Sequence, residues 1–366
     1  MQFSVQRKDL LTSLQTVIGV VERRQTMPIL SNVLLKADNN RIVLTATDLE
    51  LELVTDCPAA IHSPGSAAVP ARKLLDICRG LPDSAEIQLT QDQQQTKIQS
   101  GRSRFTLSTL ASQDWPHLDE VEDGQRVLLP EGTLKTLLDR THFAMAHQDV
   151  RYYLNGLLLD LRDNRVRCVA TDGHRLALSD ADIDIALSEP VSAIIPRKAI
   201  TELVRLLHAG DAEIAVQLSS KHLRLQLPGL MFTTKLIDGR FPDYERVIPD
   251  HADRLMHADR DVIRQALSRT AILSNEKFGG VRLSLDQHTL RLQAQNVERE
   301  EAEDEIQVTY ESGPMEIGFN VNYLLEALGA MTASEFTLAL SGPDSSGLLQ
   351  ATDDQTTRYV VMPMRL

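Results

Sequence analysis

The chain has 366 residues, of which 42 % are hydrophobic and 24 % are charged, and its net charge is −13 at pH 7. These proportions are typical of soluble globular proteins that bury a core. No apolar run approaches the ~18–20 residues that span a membrane, and the first residues lack the basic and then apolar order of a signal peptide. Cys57, Cys78 and Cys168 are widely spaced in apolar surroundings, which favours free buried thiols and a cytoplasmic location.

The first third of the chain begins with a strand and continues as a helix, because Leu10, Leu14 and Val17 recur at helical spacing. A hairpin is predicted at 32–48 and a second helix at 70–80. Three runs of alternating polarity then predict half-buried strands. The order is therefore strand, helix, hairpin, helix and further strands.

This order of elements occurs three times. The hairpin NVLLKADNNRIVLTATD at 32–48 returns as NGLLLDLRDNRVRCVATD at 155–172 and as GVRLSLDQHTLRLQAQN at 280–296. Ala46, Ala170 and Ala294, near the ends of the three copies, are separated by 124 residues in both steps. The sequence thus predicts one module used three times, as domains 1–124, 125–250 and 251–366. Two helices and about eight strands per module indicate an α+β fold in which helices pack on antiparallel sheets.

Charge is distributed unevenly between the predicted helices and the rest of the chain. The helical stretches hold 15 Lys and Arg against 9 Asp and Glu, a net of +6, which leaves −19 elsewhere. A surface built from these helices could contact phosphates without reading bases. Alternatively, the cations only decorate exposed helix faces. The six stretches are 7–24, 70–80, 131–147, 196–210, 258–269 and 320–333.

Catalytic signatures are scarce. The sequence has no GxxxxGK[ST] loop, no GxGxxG after a strand, no HExxH and no GxSxG. Asp172 and His174 could act as base and orienter, but the other two repeats hold different residues there, which favours a turn or a binding role. The acidic run at 298–305 could bind a metal, although charge runs are more often solvated faces or partner contacts. We predict no catalytic residues, no metal and no cofactor.

The C-terminal segment YVVMPMRL, at 359–366, is apolar, whereas chain ends are normally polar and frayed. Its first residues fit the last strand of the third module. The final five exceed that strand, and their two methionines suit an adaptable apolar groove. This pattern indicates a surface that binds a partner.

Taken as a whole, the chain resembles the bacterial sliding clamps, the β subunits of DNA polymerase III. The resemblance extends from MQFSVQR at the start to YVVMPMRL at the end. It includes MPIL at 27–30, VPARK at 69–73, HQDVRYYLNG at 147–156, ATDGHRL at 170–176, DGRFPDY at 238–244, LSNEKF at 273–278 and GFNVNY at 318–323.

The resemblance implies a head-to-tail homodimer whose six modules form a ring around double-stranded DNA. Helices would line the hole and sheets would form the outside, so the ring would hold DNA topologically and without sequence specificity. An acidic exterior would discourage DNA from adhering to the outside. The implied DNA-facing residues are Arg24, Gln148, Arg72 and Lys198.

A peptide pocket between the second and third modules is also implied. Short linear motifs of the replicative polymerase, the clamp loader, other polymerases and repair factors would insert apolar anchors there. Asp344 departs from the small or uncharged residue that the family often has in a loop beside the pocket, and its carboxylate could weaken acidic peptides. The pocket residues are Leu154, Thr171, Gly173, His174, Arg175, Leu176, Pro242, Arg246, Val247, Asn320, Tyr323, Ser346, Val360, Met362, Pro363, Met364 and Arg365.

The ring interface would pair the first module with the partner's third module, with opposite charges around an apolar centre. A clamp-like paralogue that serves as a binding hub or inhibitor target, rather than in bulk replication, is the alternative function. The interface residues are Lys73, Ile77, Phe105 and Leu107 on one side and Ile272, Leu273, Glu298, Glu300, Glu301 and Glu303 on the other.

Overall fold

The computed structural model describes residues 1–21, 27–118, 121, 124–162, 164–184, 187, 189–249, 252–275 and 277–365. The chain divides into two compact units. The first comprises residues 1–131 and 212–236, and the second comprises residues 132–211 and 237–366.

Within the described ranges the chain forms six α-helices, two in each repeat. They are α1 (Arg7–Val17), α2 (Ala71–Gly80), α3 (Glu131–Thr141), α4 (Arg197–Leu206), α5 (Arg260–Ala271) and α6 (Val321–Ala330). Each predicted helical stretch overlaps one of them, and α5 continues two residues beyond the predicted end at 269. The largest difference is α1, which ends at Val17 rather than at residue 24; Gly19, a poor helix former, lies in the turn that follows. Residues 22–24 of that prediction lie outside the described residues.

Local chemistry fixes where several helices begin. Pro70 and Pro196 end the preceding strands and stand directly before α2 and α4, where a missing N–H costs little. Asp259 caps α5 by accepting a hydrogen bond from the Val262 amide at 2.8 Å. Asn320 caps α6 in the same way, accepting from the Asn322 amide at 2.9 Å.

The β-strands follow the repeats. The first repeat contains β1 (Gln2–Gln6), β2 (Asn32–Asp38), β3 (Arg41–Thr47), β4 (Leu51–Pro58), β5 (Ala60–Ser63), β6 (Gly65–Pro70), β7 (Glu86–Asp92), β8 (Gln95–Ser100) and β9 (Ser103–Ser108). The second contains β10 (Gln125–Pro130), β11 (Gly156–Arg162), β12 (Arg165–Thr171), β13 (Arg175–Asp182), β14 (Val191–Pro196), β15 (Glu213–Leu218), β16 (His222–Leu227) and β17 (Leu230–Lys235). The third contains β18 (Arg254–Asp259), β19 (Gly280–Asp286), β20 (Thr289–Gln295), β21 (Glu301–Gln307), β22 (Thr309–Tyr310), β23 (Met315–Asn320), β24 (Glu335–Leu340), β25 (Gly347–Ala351) and β26 (Thr357–Val361).

The first unit holds two antiparallel sheets. One has the order β5-β1-β7-β8-β9, and the other has the order β10-β15-β16-β17-β4-β3-β2-β6. The larger sheet joins strands of two repeats, because β17 pairs with β4 from Leu230↔Thr55 to Thr234↔Leu51. Helix α1 packs against α2 and β4, which covers one face of this sheet.

The second unit repeats this arrangement with different strands. Its nine-stranded sheet has the order β14-β11-β12-β13-β26-β25-β24-β18-β22, and its four-stranded sheet has the order β21-β20-β19-β23. Here β13 of the second repeat pairs with β26 of the third, from Arg175↔Val361 to Ser179↔Thr357. The α+β prediction is therefore confirmed, and sheets run across the repeat boundaries through shared strand pairs.

The described residues at the tips of the repeated hairpins have positive φ. Asn39 and Asn40 have φ of 47° and 61°, Gln287 and His288 have 41° and 67°, and Asn164 has 59°. Two-residue turns with positive φ match the right-handed twist of the paired strands, and asparagine tolerates this region best after glycine. The repeated hairpin sequence therefore corresponds to a repeated positive φ at the described turn residues.

The cores are apolar and the three cysteines belong to them. Cys57, Cys78 and Cys168 are free and buried. Burial raises the pKa of the Cys57 thiol to about 11 and that of Cys78 to about 12. No helix in the described part of the chain is long and apolar enough to cross a bilayer.

Candidate peptide-binding site

A cavity of about 270 Å³ opens on the second unit, over strands β12, β13 and β26 of the nine-stranded sheet. Its residues come from four segments: the loop before β11, the β12–β13 turn, the segment after Ile237, and the end of β26. The lining residues are Arg151, Tyr153, Leu154, Thr171, Gly173, Arg175, Leu176, Pro242, Asp243, Tyr244, Val247, Val360 and Met362.

The floor of the cavity is apolar and belongs to the sheet. Thr171 and Leu176 face each other across β12 and β13, and Leu176 is paired with Val360 of β26. All three are buried. A core cluster that includes Val169, Leu178 and Phe241 supports them. A floor held by three paired strands is rigid, which suits the capture of apolar side chains.

The turn at 172–175 forms one rim. The Asp172 carboxylate accepts hydrogen bonds from the His174 amide at 2.9 Å and the Arg175 amide at 3.0 Å. Gly173 has φ of +87°, and a Cβ there would lie 2.8 Å from Nη1 of Arg151. The positive φ favours glycine here, and a Cβ would also displace the guanidinium of the arginine.

Arg151 forms the neighbouring part of the rim. Its guanidinium donates to Asp149 Oδ2 at 2.8 Å and to the Asp172 carbonyl at 3.1 Å. The hydrogen bonds that the Arg151 guanidinium and the Arg151 amide donate to the Asp149 carboxylate lower its pKa from the ordinary 3.8 to about 2. The rim is thus held by an ion pair that stays charged at neutral pH.

The Asp149 shift predicts a pH dependence. Because the pKa is depressed in the folded chain, the pair contributes stability above pH 3.8, and this contribution is lost as the pH falls from 3.8 through about 2. A carbon-13 NMR titration should give a midpoint near 2 for the Asp149 carboxyl, and Arg151→Ala should move it towards 3.8. Arg162→Ala, which removes the partner of Asp160, should leave the Asp149 midpoint unchanged. A midpoint already near 3.8 in the unsubstituted chain would contradict the assignment.

The opposite wall is a short 3-10 helix, Tyr244–Val247. The Tyr244 ring meets Phe241 edge-on, with centroids 6.3 Å apart. Phe241 is buried in the core cluster, whereas Pro242 is exposed at the mouth of the cavity. The wall is therefore anchored from behind by an aromatic pair.

The C-terminal residues follow the cavity edge after β26 ends at Val361. The Met362 amide donates to the His174 carbonyl at 2.8 Å, and the Met364 amide donates to the Gly318 carbonyl at 2.9 Å. Met362 lines the cavity, while Met364 and Arg365 line a second depression of about 600 Å³ over the four-stranded sheet. The tail is fixed by backbone hydrogen bonds at two points.

Nine predicted pocket residues line the cavity. They are Leu154, Thr171, Gly173, Arg175, Leu176, Pro242, Val247, Val360 and Met362. Sequence reasoning missed Arg151, Tyr153, Asp243 and Tyr244, although all four lie in the segments HQDVRYYLNG and DGRFPDY that carried the resemblance.

Eight predicted pocket residues lie outside this lining. Met364 and Arg365 line the second depression, and His174 is exposed in the rim turn. Arg246 is exposed and pairs with Asp243 at 2.7 Å. The remaining four, which are half-buried, are Asn320, Tyr323, Ser346 and Pro363. Asp344 is exposed and also lies outside the lining.

Tyr323 nevertheless reaches the site through Arg175. The Arg175 guanidinium lies 4.5 Å from the centroid of the Tyr323 ring and 5.3 Å from that of Phe143. It also forms ion pairs with Asp172 and Glu326. Burial raises the pKa of the Tyr323 hydroxyl. Arg175 thus joins the rim of the cavity to the first turns of α6.

Comparisons with known proteins cover nearly the whole chain. The models of the N-terminal, central and C-terminal domains of the DNA polymerase III beta subunit match residues 1–119, 128–243 and 245–365. The chain is 50 % identical to the beta sliding clamp of Pseudomonas putida and 47 % identical to that of Escherichia coli K12, with 100 % of each chain covered. The chain belongs to the family of DNA polymerase III β subunits.

A solved structure of the same family extends the comparison to the fold. The sliding clamp of Pseudomonas aeruginosa bound to griselimycin superimposes with a TM-score of 0.96 at 49 % identity, and 100 % of both chains is covered. The family assignment and the three clamp domains predicted from the sequence are confirmed.

The predicted interface residues lie on two sheet edges, in α2, just after α5 and in the loop before β21. Strand β9, with Phe105 and Leu107, is the last strand of its sheet, and β21, with Glu301 and Glu303, is the last strand of another. Ile272, just after α5, has 77 % of its side chain exposed. The other predicted residues are Lys73, Glu298 and Glu300, which are exposed, and Ile77 and Leu273, which are half-buried. Their role in the ring stays a prediction.

The predicted DNA-facing residues have different surroundings. Gln148 is exposed and has φ of 57°. Arg72 is half-buried and donates to the Val21 carbonyl at 2.7 Å, so part of its guanidinium supports the fold. Lys198 is half-buried at the start of α4, and Arg24 lies outside the described residues.

Proposed function

We propose that the chain is a sliding clamp, a processivity factor that encircles duplex DNA without sequence specificity. It tethers the replicative polymerase, the clamp loader, other polymerases and repair factors through the peptide cavity. The observation that carries the proposal is the match of all three domains, end to end, to relatives named beta sliding clamp. We further propose domain boundaries near residues 124 and 250 and a cytoplasmic location.

A head-to-tail dimer is supported by the two exposed sheet edges. Arg104 lies on β9 and Glu301 and Glu303 lie on β21, all three exposed, so the edges have opposite charge. An unpaired edge is a template for another strand, and opposite charges favour one partner over self-pairing. Burial of Phe105 and Ile272 between such edges would supply the apolar centre of the interface.

Contact with DNA is supported by the charge of the helices. The six helices contain 13 Lys and Arg against 7 Asp and Glu, a net of +6 in a chain of net −13. A helical surface of this kind attracts phosphates, and the acidic remainder repels them. Neither property depends on base sequence.

Peptide binding is supported by the cavity and by the griselimycin complex of the Pseudomonas aeruginosa clamp. An apolar floor with a few charged groups at its rim suits a short peptide that inserts apolar side chains. We propose that griselimycin binds this chain in the same cavity.

A non-catalytic role is supported by the use of Asp172 in the turn. Its equivalents do the same: Asp48 accepts from the Glu50 amide at 2.9 Å, and Asn296 accepts from the Glu300 amide at 2.9 Å. The position thus recurs as a turn that caps backbone amides, which asparagine serves as well as aspartate. In the part of the chain that the structure describes, no group of three or more His, Cys, Asp or Glu is arranged to hold a metal ion.

The topological link gives the test of this function. Protein loaded onto nicked circular DNA by a clamp loader and ATP should remain on the intact circle and leave rapidly once the circle is cut. The reason is that a ring without base contacts can slide off a free end. The amount of bound protein would be followed by gel filtration before and after cleavage. Retention on linear DNA would show direct chemical binding and would contradict a sliding ring.

A further inference from the structure

The face of the nine-stranded sheet that forms the cavity floor continues beyond it. On β12 and β13 the facing pairs are Thr171↔Leu176, Val169↔Leu178 and Arg167↔Asp180. Side chains two residues apart share a face of a strand, so all three pairs point to the same side. The first pair lines the cavity, the second belongs to the core cluster, and the third is ionic.

Arg167 is the unusual member of this face. Only 8 % of its side chain is exposed, and its guanidinium is held by Asp180 through two hydrogen bonds, from Nε to Oδ1 and from Nη2 to Oδ2 at 2.9 Å. The hydrogen bond to Asp180 raises the pKa of Arg167, so the guanidinium stays charged throughout the physiological range. Because Asp180 holds both Nε and Nη2, the orientation of the guanidinium is fixed, and so is the direction of its third nitrogen, Nη1.

Nη1 of Arg167 contacts the cavity wall from the side of the sheet. Nη1 donates to the Tyr244 hydroxyl at 3.1 Å and to Glu245 Oε1 at 3.2 Å. The ring of Tyr244 lines the cavity, whereas Arg167 does not. Tyr244 begins the 3-10 helix whose last residue, Val247, also lines the cavity. The position of this wall is therefore tied to the sheet by the ion pair.

We propose that Arg167 is a positioning residue for peptide binding, which sets the place of Tyr244 and with it the width of the cavity. This inference rests on the proposed function, because it concerns the same cavity. Without the hydrogen bond, the wall keeps the apolar packing of Tyr244 and Val247 on the core cluster, including the contact with Phe241, but the Tyr244 ring loses its polar link to the sheet and can shift relative to the floor. A ligand must then order the wall when it binds, and that cost weakens the affinity.

The test measures griselimycin affinity by calorimetry. Arg167→Gln should weaken binding about tenfold, the value of one hydrogen bond to a charged donor. Tyr244→Phe keeps the ring and the Arg167–Asp180 pair, and it should weaken binding severalfold. Because both changes break the same link, the double variant should bind within about twofold of Arg167→Gln.

A double-mutant comparison separates positioning from general stability. If Arg167 served only the stability of the sheet, the melting temperature would fall while the folded chain kept its affinity, and the two substitutions would act independently. Arg7→Gln is the control, since Arg7 has only 14 % of its side chain exposed and pairs with Asp83 at 2.6 Å in the other unit; it should leave the affinity unchanged. Arg167→Lys keeps a charge without the fork and should recover part of the loss.

The outcomes are distinct. Unchanged affinity in Arg167→Gln, or independent losses in the double variant, would overturn the positioning role and leave the proposed function intact. If Arg167→Gln does not fold, Tyr244→Phe decides alone, and unchanged affinity there overturns the role. An unsubstituted chain that does not bind griselimycin would overturn the cavity assignment itself, and the role of Arg167 with it.

Discussion

Replacing Ile272 and Leu273 together by alanine is expected to convert the proposed dimer into monomers. Ile272 is 77 % exposed in the single chain, so an apolar side chain is available for burial against a partner. Truncation of a buried interface anchor costs about 2 kcal/mol or more, so two such changes should weaken the dimer by about a thousandfold. Native mass spectrometry across a dilution series measures the shift directly.

A second double variant tests whether the loss of the dimer is specific to the predicted interface. Leu255 and Val262 are also exposed aliphatic residues, at 42 % and 47 %, and lie outside the predicted interface. Their double replacement by alanine should leave the dimer unchanged. If the Ile272→Ala, Leu273→Ala variant remains dimeric at nanomolar concentration, the interface assignment is wrong.

Deleting residues 362–366 is expected to abolish binding of griselimycin and of apolar peptides while the dimer persists. The deletion removes Met362 from the cavity and both tail hydrogen bonds, to His174 and Gly318. The loss of an apolar wall should weaken binding by about a hundredfold or more. Calorimetry gives the affinity, and native mass spectrometry gives the oligomeric state of the same sample.

A pair of single substitutions tests the same point without shortening the chain. Met362 and Met231 have the same exposure, 37 %, but Met231 lies on β17 and does not line the cavity. Met362→Ala should therefore weaken griselimycin binding, and Met231→Ala should not. Equal affinities for the two variants would remove Met362 from the site.

Periodicity explains why much of the fold could be predicted. The helices and the repeated hairpins depend on local patterns, such as the spacing of Leu10, Leu14 and Val17 and the polar turn of each hairpin. The three-domain α+β architecture follows from the repetition of those patterns. The end of α1 was misplaced because apolar spacing continues through Val21 after the helix has ended.

The parts of the site that depend on tertiary placement were not predictable in this way. Arg151 and Tyr244 reach the cavity only because separate loops meet over the sheet. In the sequence Arg167 resembles any other residue of a buried strand. Its neighbours do not indicate that it pairs with Asp180 or donates to the Tyr244 hydroxyl. The pairing of β17 with β4 likewise joins residues more than a hundred positions apart.

The strand pairs that join neighbouring repeats also determine which strands pack together in one compact unit. The middle repeat gives β10 and β15–β17 to one unit and β11–β14 to the other, so its amino acids are divided between two hydrophobic cores. The repeated stretch of sequence therefore does not coincide with the part of the chain that packs around one core. Cutting the gene at the repeat boundaries would leave each fragment with strand edges that normally hydrogen-bond to its neighbour.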